Sequence, residues 1–561
     1  MSTITPTMEV RLKRFLYTSR EDPIYVTGDA CYHKAYLPGK VKVVEEILQS
    51  DNPKLLLNIV QIVNSENLIP RRDAIIFVLA IAATIATDND FKHEIYTTVL
   101  NVVKSSKEIF TFLKYYSHQQ RSFNSSLNKM IRSYYYRKDP MELAVEVTKS
   151  NGAHGWTHKD VLKLCHGKSN CIRTQTVVSY ILHGLTKAKS VGEENALATP
   201  VITLFSNTLE LKRCENEKRV VELMRKLRCD NINQVPSFFH KSQLVWETLI
   251  PHVSISELIK ILPRLYKCGF LKANSSFQNK VIELLKADAI KASGIYPLEV
   301  FIALKNFEKG GKPMDPKQKL YLEGIAKTDS DTSKECEGAA APKIEPTVHE
   351  PNLVQPIKCP PIMTVLHKAL HTSYQNITST GRRIFIGIEV SKEMDTPCLT
   401  SKNVTCFDAA TVLILSFLRS ERDVTIAVFN GMKISFVSID KYSSIAQAQA
   451  ALRKAPSGTA ILTPFFEWAV TNKKQVDVFI NFLQGQSFAS LPRQNRDKAR
   501  ALKVLDTYRK QMALPHTKLI SFFLNSTRTT LADGSSNVLD ICGIDKDVCN
   551  VIEAFSKGLF Y

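Results

Sequence analysis

The chain has 561 residues, 44% of them hydrophobic and 23% charged, and its 74 Lys and Arg against 54 Asp and Glu give a formal charge of +20. That is an ordinary globular composition with length for two or more cores. Met1 to Arg14 has no apolar h-region and the longest apolar run, Ala74 to Ala86, is too short to span a bilayer, which argues against secretion and against a membrane protein.

Twelve cysteines without a C-x-x-C pair fit free thiols, so a cytoplasmic and also nuclear location is expected. The positive excess points to a polyanionic partner.

The first three hundred residues read as successive amphipathic helices with recognisable starts. Asn52-Pro53 offers an N-cap and a proline at N1 ahead of Leu55, Leu56, Ile59, Val60 and Val63, and Asp139-Pro140 does the same ahead of Leu143, Ala144 and Val147. Thr157-x-x-Asp160 and Ser254-x-x-Glu257 resemble capping boxes. Helices at this density predict an all-α stack of HEAT-like pairs over residues 1–326. Both of its terminal faces need partners, because neither carries a capping repeat, so the stack is expected to close on itself.

Within this half, residues 101–170 hold 12 basic and 5 acidic side chains, which marks the stretch for nucleic acid. Tyr134, Tyr135 and Tyr136 stand beside Arg132 and Arg137 as stacking candidates, but three consecutive aromatics on a helix point in different directions, so at least one belongs to the core. Trp156, at a helix entrance, reads as a packing residue. His154, His158, Cys165, His166 and Cys171 are zinc-ligand types, with His154 and His158 four apart. A cap at Thr157 argues against a shared metal, since it puts the two histidines on opposite sides of a helix start.

From Glu308 to about Pro361, glycines, prolines and an Asp-Ser-Asp-Thr-Ser run break the pattern, and residues 327–360 read as a disordered linker or insertion. Residues 361–561 then alternate apolar runs with helices. Ile384 to Ile388, Val424 to Phe429, Val476 to Ile480 and Leu519 to Leu524 predict strands buried on both faces, with helices near 406–419, 443–454, 464–473 and 494–512. The alternation predicts a doubly wound parallel sheet with its core in 383–525, and ligands in such sheets sit at the carboxyl ends of the strands.

At the first such end stands Glu389-Val-Ser391-Lys-Glu393, followed by Thr459 and, after the third strand, Gln484. The order resembles the von Willebrand factor A domain, whose adhesion site uses Asp-x-Ser-x-Ser, a Thr and a distal Asp around a divalent ion. The helical half resembles the TROVE module: Gly155-Trp-Thr-His-Lys-Asp160 with Leu162, Leu164 and His166, Leu143 to Lys149, Ile295-Tyr-Pro297 with Phe301 to Leu304, and the closing Asp540-Ile-Cys-Gly543. With both halves in this order, the chain is similar to a divergent member of the 60-kDa SS-A/Ro ribonucleoprotein family.

The resemblance implies a ring of helical repeats, joined by the A domain, that binds small noncoding Y RNAs and the 3′ ends of misfolded RNAs for RNA quality control and stability. Lys149 and His166 carry over onto family RNA contacts, with Lys129, His158 and Lys159 as neighbours. Ala153, Ser125 and Asn128 fall where basic residues are expected, so contacts shift toward Arg132, Arg137, Lys138 and Lys163. At the adhesion loop, Glu389 and Glu393 replace Asp and Ser, Gln484 replaces the distal Asp, and Lys392 adds a positive charge. Ser391 and Thr459 alone match, so the A domain is expected to work without magnesium, loose cation binding being the alternative.

Phosphate-cradling Gly-x-x-x-x-Gly-Lys-Ser/Thr, Gly-x-Ser-x-Gly and His-Glu-x-x-His motifs are absent, so no catalysis is expected. The expected protein is a monomeric RNA-binding ribonucleoprotein, with possible protein partners through its A domain. The alternative is a protein-interaction scaffold that has lost RNA.

Overall fold

The computed structural model describes residues 6–28, 36–37, 39, 41–118, 123–150, 152–165, 167, 169–192, 195–313, 356–485, 492–527, 531–532 and 534–560. His166, and the expected linker as far as residue 355, lie outside them.

From Met8–Thr18 to Pro297–Glu308 the chain runs through helix after helix, each packed on neighbours close in sequence. Local chemistry starts many of them. The Thr7 hydroxyl accepts from Val10 N, and Asp139 Oδ1 accepts from Met141 N and Glu142 N with Pro140 behind it. Thr157 and Asp160 complete their expected box reciprocally, Thr157 Oγ1 accepting from Asp160 N while Asp160 Oδ2 accepts from Thr157 N. At Ser254 only the forward half forms, to Glu257 N. Asn52 differs from expectation: Pro53 is itself the N-cap, and Asn52 contributes its backbone carbonyl to Leu55 N instead of its side chain. The Asp73–Ile85 helix is buried from Ala74 through Thr84 and forms the centre of the first repeats, which is why its sequence is apolar on every face.

One seven-stranded sheet follows, in the order β1-β7-β6-β5-β2-β3-β4. Its strands are β1 (Ile24–Val26), β2 (Ile384–Ile388), β3 (Val424–Asn430), β4 (Lys433–Phe436), β5 (Val478–Leu483), β6 (Lys518–Phe523) and β7 (Val538–Cys542). All neighbours are parallel except the edge pair β3/β4. Helices Cys406–Ser420 and Val548–Lys557 cover one face; Thr463–Thr471 and Pro492–Gln511 cover the other. Burial on both faces explains the continuous apolar runs of the central strands.

Two boundaries move. The sheet reaches Cys542, beyond the expected 525, and takes its far edge strand β1 from the amino-terminal segment, with Tyr25 registered on Ile541. The helix Pro360–Ser373 packs on Pro297–Glu308, Ala287–Ser293 and Ser276–Leu284, so it extends the helical stack where the sequence had placed the start of the A domain.

These contacts close the stack through the A domain. At the amino-terminal end, Tyr17 stacks on Phe560 at 4.9 Å, an Arg14 guanidinium nitrogen donates to Gly534 O at 3.0 Å, and the Tyr25 hydroxyl donates to the Asp545 carboxylate. At the other end, Asn403 Nδ2 donates to Asn306 Oδ1 and Gly311 O, and the Tyr296 hydroxyl donates to Glu553. Among the described residues no helix is long and apolar enough to cross a membrane.

Candidate nucleic-acid interface and adhesion-type loop

The expected contact residues divide into three groups. Lys129 and Arg132 lie on the Ser125–Arg137 helix, seven and four residues ahead of the half-buried Tyr136 along one face. Arg132 and Tyr136 lie directly over Gly167: a Cβ there would stand 2.7 Å from Arg132 Cδ and 2.6 Å from the Tyr136 hydroxyl, so a larger residue would displace these two side chains. On the adjacent His158–Cys165 helix, Lys159 and Lys163 are exposed one turn apart. None of Lys129, Arg132, Arg137, Lys159 and Lys163 has a carboxylate partner among the described residues.

Lys138 and Lys149 stand elsewhere. They line a cavity of about 710 Å³ with Lys104 and Lys107, two exposed lysines that the sequence reading did not single out although they lie in the same basic stretch. Lys138 is committed internally. It bonds to Glu146, donates to the Tyr134 hydroxyl at 2.7 Å and lies 4.2 Å above that ring. Glu146 also accepts from Ser106 N and the Tyr134 hydroxyl. Burial is the largest influence and raises its pKa, but the hydrogen bond and charge of Lys138 together with the bonds from Ser106 N and the Tyr134 hydroxyl outweigh it and hold the carboxyl below its usual value. Lys149 reaches Asp230 at 2.6 Å across an exposed pair, which leaves it available to a competing phosphate.

His158 is a correction. Its side chain is 4% exposed, its Nδ1 lies 2.9 Å from the Tyr135 hydroxyl, and its ring packs edge-on to Phe110 at 5.1 Å. Burial pushes its pKa down to about 4, so the ring is neutral and out of reach of RNA. The helix start at Thr157 turns His158 inward, whereas His154, at φ 57° in the preceding turn, is exposed. Tyr134 and Tyr135 are core, and Trp156 packs on Phe123 at 5.4 Å. Among the described residues no three His, Cys, Asp or Glu side chains group to hold a metal.

At the carboxyl end of β2, Glu389 is 6% exposed and its two oxygens are taken within the loop. Oε1 accepts from the Ser391 hydroxyl at 2.9 Å and Oε2 from Gln484 N at 3.0 Å. Burial raises its pKa, and Glu393 adds to the rise. Glu393 and Lys392 are exposed, and Lys392 pairs with no described carboxylate. Thr459 is exposed in the middle loop, its carbonyl accepting from Gly431 N. Magnesium needs several hard oxygens in near-octahedral array; here Glu389 is buried with a hydrogen bond on each oxygen, and Gln484 is neutral where the adhesion pattern has its distal Asp.

Residues 40–368 match the TROVE domain and residues 383–556 the Ro60 vWA domain. The chain is 21% identical to the RNA-binding protein RO60 of Caenorhabditis elegans, over 98% of this chain and 88% of that protein. It is 22% identical to the RNA-binding protein RO60 of Deinococcus radiodurans, over 98% of this chain and 93% of that one. The crystal structure of the D. radiodurans RO (RSR) protein superposes with a TM-score of 0.80 at 20% identity, covering 98% of this chain and 100% of that one, and so shares the fold.

Proposed function

Since this chain belongs to the Ro family, a TROVE domain leading into a Ro60 vWA domain, we propose that it is an RNA-binding ribonucleoprotein component without catalytic activity. Small structured noncoding RNAs of the Y type are its ligands, and it acts in RNA quality control and stability. The observation that carries the reading is the set of cations on two packed helices, Lys129 and Arg132 on Ser125–Arg137 with the half-buried Tyr136, and Lys159 and Lys163 exposed on His158–Cys165, none of them in an ion pair among the described residues. Such cations neutralise phosphates by releasing counterions, and a half-buried tyrosine offers a ring to an unpaired base.

Two substitutions test it. Lys149→Ala with Lys159→Ala is expected to weaken binding of a small hairpin RNA across sequences and to lower the slope of log affinity against log salt by roughly 0.7 to 0.9 per lost phosphate contact. An unaltered slope in a folded double variant would put the RNA elsewhere.

A second reading has its own observation. Met432, Phe436 and Tyr442 are exposed around the edge strand β4, at 63%, 47% and 71%, and favour a protein partner for the A domain. Crosslinking and sequencing of RNA bound in cells separates the two: small structured RNAs support the first reading, and their absence supports a scaffold.

The A domain, on this reading, works without a divalent ion. A ligand bound only by the native state stabilises it by an amount that grows with the logarithm of ligand concentration above its Kd, so without a bound ion the thermal midpoint of the whole chain is expected to be the same in millimolar magnesium and in EDTA. Stabilisation by magnesium that disappears in Thr459→Ala would mean that the altered loop still coordinates metal.

A further inference from the structure

A second cavity, of about 640 Å³, lies away from the 101–170 stretch and is lined by Lys241, Lys260, Arg264, Lys267 and Lys312, with no acidic and no aromatic residue in its wall. Three elements gather these cations. The helix Ile255–Lys267 supplies Lys260, Arg264 and Lys267 at i, i+4 and i+7, one face spanning about 10 Å at the helical rise per residue. The 3₁₀ helix Ser237–Lys241 brings Lys241, and the Gly310-Gly311 turn brings Lys312.

The frame that holds them is built. Buried Trp246 donates its Nε1 to His240 O at 2.9 Å, next to Lys241, and Arg264 lies over its ring at 5.2 Å, so one side chain fixes two of the cation-bearing elements. At the turn, Gly311 N donates to Asn306 O at 2.7 Å and Asn403 of the A domain donates to Gly311 O at 2.9 Å. A Cβ on Gly311 would stand 3.9 Å from Lys267 Nζ, which places that ammonium against the turn. Lys260 pairs with Glu299 at 3.1 Å; the other four have no carboxylate among the described residues.

Like charges held this close repel, and an anion removes that cost. The volume is that of a small-molecule site. A single strand of nucleic acid is bound along a track of cations with rings on which its bases stack, and this wall holds no ring. Cations converging on one small concave surface match several phosphates carried by one compact scaffold, through charge-assisted hydrogen bonds.

We propose that this cavity binds a compact soluble polyphosphate of the inositol polyphosphate class, its phosphates on Lys241, Arg264, Lys267 and Lys312. Bound there, the ligand ties the last helices to the turn that Asn403 holds and strengthens the closure of the stack by the A domain. The site is independent of the RNA-binding reading.

Calorimetric titration of the full chain with inositol hexakisphosphate at physiological salt is expected to show one site, and the ligand to raise the thermal midpoint. Lys241→Gln combined with Arg264→Gln and Lys267→Gln is expected to weaken binding at least about 100-fold, through three lost charge-assisted contacts, and to abolish the thermal shift. Lys187→Gln combined with Lys189→Gln and Lys291→Gln removes three exposed charges elsewhere and is expected to bind as the parent does. No binding by the parent, or the same affinity in the two triple variants, overturns the site. Two further arms separate the sources of phosphate: vesicles containing phosphatidylinositol bisphosphate, and a short oligouridine. Binding of either that is lost in the first triple variant and is not displaced by inositol hexakisphosphate would give the cavity to a membrane or to a strand and overturn the soluble ligand.

Discussion

Replacing His158 by alanine is expected to destabilise the helical half by about 2–4 kcal/mol, combining a core cavity with a Tyr135 hydroxyl stripped of its partner. RNA affinity of the folded fraction is expected to stay the same, because the ring faces Phe110 and Tyr135 and is 4% exposed. The same burial makes the site acid-sensitive. Its pKa lies near 4 in the folded chain and about 6.5 in the unfolded one. A depressed pKa contributes stability that is present above the unfolded value and lost as pH falls through the folded one, here from about 6.5 toward 4, with a ceiling of about 3 kcal/mol. Urea unfolding of the parent and of His158→Gln between pH 4 and 7 measures this. A parent-like urea midpoint in His158→Ala, or a loss of RNA with that midpoint intact, would return His158 to the surface.

Tyr25→Ala is expected to cost about 3–5 kcal/mol and to open the closure between the first helices and the A domain. Tyr25 is fully buried, holds β1 onto β7, and donates to Asp545 at 3.0 Å from one carboxylate oxygen and 3.2 Å from the other. Hydrogen exchange should accelerate first in β7, whose outer side β1 covers; protection of β7 equal to the parent's would mean that the seam does not depend on this strand. Tyr25→Phe keeps the ring and loses only the hydroxyl, at about 1 kcal/mol.

The seam titrates in the opposite direction to His158. Burial, with Asp547 adding to it, pushes the Asp545 carboxyl up to about 6. A raised pKa gives stability that is full below the unfolded value, near 3.9, and lost as pH rises through about 6. The residue is partly open to solvent, so its limb is the smaller one. Between pH 4 and 6 the two limbs partly cancel. His158→Gln should expose the falling Asp545 limb, Asp545→Asn should steepen the rise, and the double variant should be flat.

What the sequence determined by itself was whatever local chemistry specifies. The helical half was legible because Asp139-Pro140 and Thr157-x-x-Asp160 carry their caps with them. The central strands were legible because parallel strands buried on both faces must be apolar without interruption, as β2, β5 and β6 are. The order of the two halves, with Glu389 and Ser391 after the first strand, carried the family.

Only tertiary structure decided the edges and the roles of single side chains. β1 is three residues long and pairs with a strand at the far end of the chain, so no local periodicity announces it. β7 carries a buried Asp540 that interrupts its apolar pattern. Helix Pro360–Ser373 looks the same in sequence whichever half it joins; the helices it packs on settle that. His158, Lys138 and Lys159 are all polar residues of one basic stretch. Phe110 and Tyr135 from other helices make the first a core residue, and Glu146 makes the second a half-buried ion-pair partner. Lys159 faces solvent, because only the three-dimensional packing assigns each side of a helix to core or to water.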